Sequence, residues 1–266
     1  MDLTGKTIWM TGASSGIGRA LAIAMAAEGA RLILSGRNES ALADVAAACS
    51  GSHVLPFDAT DFDALPGIVA AAEAVSGRID MLVNNAGIAQ RSLVRDTDFQ
   101  VYRTFMEVDY FAPLRLTQLV LPAMRARGDG HIVAVASLSG RFGNPSASAY
   151  CGAKFALIGF FEALRSEVAH EGLKVTVITP GFIKTEIAGR ALDGNGKPIA
   201  PGTIGERGIS AEECAVDILA GLAAGKREIA VGRGPEMALL DLNRSNPDQV
   251  FDMMASLGEA IATGKM

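Results

Sequence analysis

Tyr150 and Lys154 stand four residues apart in a stretch of helical period, so both side chains leave one helix face and approach the same small region. A free tyrosine ionises near pH 10, about three units above neutral, and a fixed ammonium beside it stabilises the phenolate and lowers that barrier. A tyrosine so placed takes a proton from an alcohol or gives one to a carbonyl oxygen. Ser137 comes thirteen positions earlier, at the end of a β-rich run, where its hydroxyl can hydrogen-bond a substrate oxygen as charge develops. Taken singly, a core aromatic and a surface charge account for Tyr150 and Lys154 as well.

A second set of residues suits a phosphate. Thr11-Gly12-Ala13-Ser14-Ser15-Gly16-Ile17-Gly18 follows the first apolar run and opens the first helical one, where glycines let backbone N–H groups approach a pyrophosphate at a helix N-terminus. Its G-x3-G-x-G spacing differs from G-x-G-x-x-G, and no Gly-Lys-Ser/Thr follows, which excludes a P-loop. Glycine also serves tight turns for steric reasons alone.

The elements that must position these groups alternate. Strand-like runs are expected at 6–11, 31–35, 53–57, 81–83, 131–137, 174–179 and 228–231, and helical stretches at 17–28, 39–49, 62–75, 99–127, 149–170 and 211–223. That is the pattern of βαβ units, and it runs unbroken along the 266 residues, so it predicts a single α/β domain with a doubly wound parallel sheet. Residues 189–208, rich in Gly and Pro, form either a lid or a surface loop. The tail from 237 to 266 is amphipathic around 250–262 and either closes a pocket or covers a neighbour.

A net charge of −5 and 49% hydrophobic residues describe a folded acidic chain with no general attraction to nucleic acid or anionic lipid. No basic-then-apolar leader and no clean membrane span is present, so a cytoplasmic location is expected. Cys49, Cys151 and Cys214 lack the pairing of disulfides or zinc sites, and His53, His131 and His170 fall singly, so no metal is expected.

Taken together, Thr11 to Gly18, Asn84-Asn85-Ala86-Gly87, Ser137, Tyr150-x3-Lys154 and Pro180-Gly181 resemble the short-chain dehydrogenase/reductase family, in the family's order and over residues 6 to about 231. The resemblance implies a Rossmann-type sheet of seven parallel strands and hydride transfer between a nicotinamide cofactor and a secondary alcohol or ketone, with Ser137, Tyr150 and Lys154 catalytic. It implies cofactor contacts from Gly12, Ser14, Ser15, Gly16, Ile17 and Gly18, from Asp58 and Ala59 by the adenine, and from Asn84, Ala86 and Gly87. Tyr150, Lys154, Pro180, Gly181, Ile183 and Thr185 complete that set at the nicotinamide. Asp58 has the alternative of capping a helix before Phe62.

At the end of the second strand, Gly36 occupies the place of the acid expected for NAD, and the adjacent Arg37 suits a 2′-phosphate. NADP(H) is therefore the expected cofactor, NAD(H) the alternative, and Arg37 as a solvated surface charge the ordinary explanation. Asp109 stands where the family usually has the Asn of its catalytic tetrad; a carboxylate there would stabilise the Lys154 ammonium and weaken its influence on Tyr150. The resemblance also places residues 186–210 over the substrate cleft as a lid, leaves 233–266 as a C-terminal extension, and implies a homodimer or homotetramer. The reading from another class is a dinucleotide-binding regulator that kept the fold and lost the chemistry. An epimerase or dehydratase is a further alternative within the fold.

Overall fold

The computed structural model describes residues 1–200 and 207–265. Its elements run β1 (Thr7–Thr11), α1 (Gly16–Ala27), β2 (Arg31–Ser35), α2 (Glu39–Ala47), β3 (His53–Val54), α3 (Leu65–Ser76), β4 (Met81–Asn84), α4 (Phe99–Met106), a π-helical turn (Glu107–Phe111), α5 (Ala112–Arg127) and β5 (His131–Val135). They continue with α6 (Ser148–Val168), β6 (Lys174–Pro180), the short β7 (Ile183–Lys184) and β8 (Ile209–Ser210), α7 (Ala211–Ala223), β9 (Glu228–Val231), α8 (Ala238–Ser245) and α9 (Pro247–Ala262).

Seven strands form one parallel sheet in the order β3-β2-β1-β4-β5-β6-β9. Strand alternation divides the core in two. Ile8, Met10, Leu32, Leu34 and Ile178 meet α1, α2 and α7 on one face. On the other face Trp9, Ile33, Leu82, Ile132 and Val177 meet α3, α5 and α6. Both faces are covered, which is why these strands read as continuous apolar runs. The order reverses between β1 and β4, and the crevice beyond the carboxyl ends of those two strands is where such sheets bind ligands.

Three elements depart from the sequence expectation. The third strand is paired as a strand only at His53–Val54; Leu55 and Phe57 still donate to Leu34 and Gly36, and Pro56 between them turns its N to the free edge of the sheet, where a missing N–H costs no ladder bond. The following helix starts at Leu65 rather than 62, since Asp58 and Asp61 fold the intervening residues into turns. The stretch 99–127 is not one α-helix: it widens at Glu107–Phe111. Pro113 cannot donate to the Asp109 carbonyl four residues earlier and its ring crowds that oxygen, so the helix opens to a five-residue bond from Ala112 N to Glu107 O.

The tail packs on its own chain. Leu240 and Val250 join Leu138 and Phe142 in a separate apolar cluster, and Asn243 Nδ2 donates to Arg141 O at 3.0 Å. Among the described residues no helix is long and apolar enough to cross a membrane.

Candidate active site

The Gly-rich turn opens α1 with Ser15 at the N-cap position and no side chain capping it, leaving its first N–H groups free. Gly12 has φ of +65°, and a Cβ there would lie 2.8 Å from Ala86 Cα. A Cβ on Gly18 would come to 2.2 Å from Gly12 O, so the turn folds this tightly only because both are glycine. These observations fit a dinucleotide: a close backbone, free N–H donors and the positive end of a helix lie at the switch point.

Thr11 and Asn85, neither picked out from the sequence as a site residue, clasp this turn to the loop after β4. Thr11 Oγ1 accepts from the N–H groups of Asn85 (3.0 Å) and Ala86 (3.1 Å). Asn85 Nδ2 donates to Thr11 O and Gly12 O at 3.1 and 3.0 Å. Asn84 is buried instead against α5, donating to Thr117 Oγ1 at 3.1 Å, with its own Oδ1 unpaired.

At the far end of the crevice Arg37 is exposed at the end of β2, and Gly36 lies beside Ser14: a Cβ there would sit 3.7 Å from Ser14 Oγ. Asp58 caps no helix. Its Oδ1 accepts from Thr60 N and Oγ1 at 2.9 and 2.7 Å, and those bonds, with a smaller pull from nearby Arg37, hold its carboxyl below the usual range. Ala59 is half-buried beside it, and Ile17 packs its side chain on the core.

Ser137, Tyr150, Lys154 and Asp109 converge at the carboxyl ends of β4 and β5. Tyr150 lies in the first turn of α6 and Lys154 one turn further, its Nζ 5.6 Å from the Tyr150 ring centre. Lys154 is 3% exposed; its Nζ donates to Val135 O at 3.3 Å and faces Asp109 Oδ2 at 3.6 Å. Asp109, fully buried in the π turn, accepts from Ile88 N through Oδ1 at 2.9 Å, while Oδ2 makes no hydrogen bond. Gly87 leaves room beside this pair, since a Cβ there would lie 3.2 Å from Asp109 Oδ1. Ser137 Oγ accepts from Ser139 N at 3.1 Å.

The electrostatics correct one expectation. Burial pushes the Tyr150 phenol above its ordinary value; Lys154 and the Ser137 hydroxyl pull it down, and Asp109 pushes it up. The ammonium therefore acts with the sign expected, but burial outweighs it. Burial likewise raises the Asp109 carboxyl, opposed by Lys154 and by the Ile88 bond.

The loop after β6 crosses the Gly-rich turn, so that a Cβ on Gly16 would lie 3.1 Å from Thr185. Ile183 pairs with Ile209, Pro180 ends β6, and Gly181 N donates to Val231 O at 2.8 Å. Two further residues had no sequence signal. Glu236 is buried and accepts from Phe182 N at 3.3 Å, tying that loop to the tail. Gln90, in the segment after β4, is buried with its side chain against the start of α6.

Of the 186–210 segment, residues 201–206 lie outside the described residues; Leu192 is bonded to Ala89 and Arg91, and Ile199 to Ala191. Between the 141–148 loop and α9 lies an open cleft of about 700 Å³, lined by Leu93, Val94, Pro145, Cys151 and Met254. Ser146 borders it with φ of +65°, a conformation non-glycine residues adopt rarely.

The described part of the chain thus sets a phosphate cradle and a Tyr-Lys-Ser group along the carboxyl ends of the central strands, and the comparisons with known proteins agree with that architecture. A short-chain dehydrogenase from Streptomyces avermitilis superposes with a TM-score of 0.79 at 31% identity, covering 99% of this chain and 100% of that one. A short-chain dehydrogenase from Burkholderia cenocepacia, solved in complex with NADP, gives 0.79 at 25% identity over 96% and 99%. The dehydrogenase/reductase SDR family member 7B of Bos taurus is 36% identical over 260 residues, 93% of this chain and 79% of that protein. The model of the short chain dehydrogenase family matches residues 6–195. With that match and these relatives, the chain belongs to the short-chain dehydrogenase/reductase family of oxidoreductases.

Proposed function

We propose that this protein is an NADP(H)-dependent reductase or dehydrogenase acting on a secondary alcohol or ketone, with Tyr150 as its general acid–base. The observation that carries the reading is the convergence of Tyr150, Lys154 and Ser137 beside the Gly-rich cradle. When bound, the cofactor supplies or accepts the hydride. Tyr150 donates its phenolic proton to the carbonyl oxygen in reduction and takes it back in oxidation. Ser137 hydrogen-bonds the same oxygen as its charge grows, and the Lys154 ammonium favours the phenolate. The free N–H groups at the start of α1 take the pyrophosphate, and Thr185 and Ile183 line the nicotinamide end. Arg37, exposed just past the end of β2, supports NADP(H) over NAD(H), since a guanidinium pairs a 2′-phosphate in two-pronged fashion.

The experiment is loss of absorbance at the reduced-nicotinamide band with each cofactor against ketones, steroids, sugars and acyl thioesters. Turnover by the parent and its loss, by about 10²-fold or more, in Tyr150→Phe is the expected result. Tight cofactor binding with no turnover across the panel would instead favour the regulator, whose support is the Asp109 carboxylate facing Lys154.

Two further parts of the proposal concern shape. Residues 186–210 act as a lid, so ligand binding should protect them from proteolysis. The chain assembles as a dimer or tetramer through the 99–127 stretch and α6, where Phe111 of the π turn and Phe155 of α6 are 41% and 46% exposed; light scattering checks this.

A further inference from the structure

We propose that Gln90 is a positioning residue for Tyr150: its side-chain carbonyl seats the first turn of α6 and thereby fixes where the phenol points. This rests on the reading of Tyr150 as the acid–base group.

The N-terminus of any helix leaves N–H groups without partners, and a Ser, Thr, Asp or Asn at the N-cap usually supplies the acceptor. The N-cap of α6 is Ala147, whose methyl group can accept nothing. The acceptor comes instead from 59 residues away. Gln90 Oε1 receives Ala149 N–H at 2.7 Å and, more weakly, Tyr150 N–H at 3.4 Å.

The other end of the amide is equally engaged. Gln90 Nε2 donates to Ser92 Oγ at 2.9 Å and Thr97 Oγ1 at 3.3 Å. Backbone donors on one side and hydroxyl acceptors on the other determine which end is oxygen. With the residue only 5% exposed, water has little access to compete for these bonds.

The segment bearing Gln90 is itself held from both sides. Leu192 N donates to Ala89 O at 2.7 Å and Arg91 N to Leu192 O at 2.8 Å, while Ser92 N donates to Ser146 O at 2.9 Å. Gln90 is thus a fixed point, and α6 is docked against it by its first turn. Tyr150 belongs to that turn, so a shift of the turn moves the phenol, whereas Lys154, one turn deeper, keeps its bond to Val135. An acid displaced by about 1 Å loses on the order of 10² in rate.

Gln90→Leu keeps the volume and removes the acceptor; Gln90→Glu keeps acceptor oxygens. Three quantities are read: kcat with a ketone that the parent turns over, the Kd for NADPH, and hydrogen exchange at the amides of 149 and 150. Expected for Gln90→Leu are a kcat lower by about tenfold or more, a Kd within about twofold of the parent, and exchange at both amides faster by about tenfold. Gln90→Glu should keep kcat within about fivefold of the parent and keep those amides protected.

The proposal is overturned if Gln90→Leu retains the parent's kcat, if its Kd worsens as much as its kcat, or if Gln90→Glu is as impaired as Gln90→Leu. Should Gln90→Leu not fold, Gln90→Glu decides, a loss beyond about fivefold overturning it. If the parent turns over no ketone, the reading of Tyr150 fails, but unchanged exchange in Gln90→Leu would still separately overturn the capping by Gln90.

Discussion

The carboxylate of Asp109 works against the arrangement it completes. It lies 3.6 Å from the Lys154 ammonium, which favours the Tyr150 phenolate, and its own charge disfavours that phenolate. Asp109→Asn removes the repulsion while keeping the carbonyl that accepts from Ile88. The phenol should then ionise at lower pH. Oxidation needs the phenolate, so the rising limb of kcat/KM for alcohol oxidation should move to lower pH; a pH–rate profile identical to the parent's would remove the electrostatic role. At the other end of the crevice, Arg37→Asp exchanges a partner for the 2′-phosphate for one that repels it. The ratio of kcat/KM for NADPH over NADH should fall by about 10²-fold, and an unchanged ratio would make Arg37 a surface charge. Tyr150, Lys154 and Ser137 were legible because their types and register carry chemistry. Gln90, Asn85 and Glu236 were not, because each acts through an element distant in sequence: α6, the β1 turn and the loop after β6 respectively.

Elements fixed by apolar period were legible almost to the residue. Residues 211–223 and 228–231 are α7 and β9 as expected, because both are bounded by a sharp change of pattern, Ser210 and Glu213 forming a reciprocal cap at the start of α7. What periodicity cannot show is a change of helical type inside one apolar stripe, and the π turn at Glu107–Phe111 is such a change. Its cause was nevertheless in the sequence, at Pro113. Pro113→Ala restores an N–H that can bond the Asp109 carbonyl, so the turn should tighten toward α geometry and rotate Asp109 away from Lys154. Removing a proline from a helix interior favours stability by up to about 3 kcal/mol, less the entropy proline takes from the unfolded chain. The melting temperature should therefore rise by a few degrees while kcat falls about tenfold. A variant with full kcat would show that the widened turn is not needed for the proton transfer.

Across the whole molecule, stability rests on a sheet covered on both faces, and one polar residue inside it makes that stability depend on pH. His131 opens β5 at 8% exposure. Thr176 Oγ1, 2.9 Å from His131 Nε2, also donates to Lys226 O, so with a single hydroxyl proton it must accept from Nε2–H. Nδ1 is left buried without a partner, and a proton there would be a charge without a counter-ion. Burial, with a smaller repulsion from Lys174, lowers the pKa of His131 to about 4 from 6.5. The folded state thus holds the ring neutral where the unfolded chain protonates it, which makes the sign clear: the contribution is intact above pH 6.5 and is lost as pH falls toward 4. At pH 5 the loss is about 2 kcal/mol, equivalent to a melting temperature lower by about 4–8 °C than at pH 7 from this group alone. His131→Leu keeps the apolar contacts and cannot titrate, so its melting temperature should fall less between pH 7 and pH 5 than the parent's, by that margin. Parallel melting curves for the two proteins across this range would mean that His131 accepts its proton without cost in the fold.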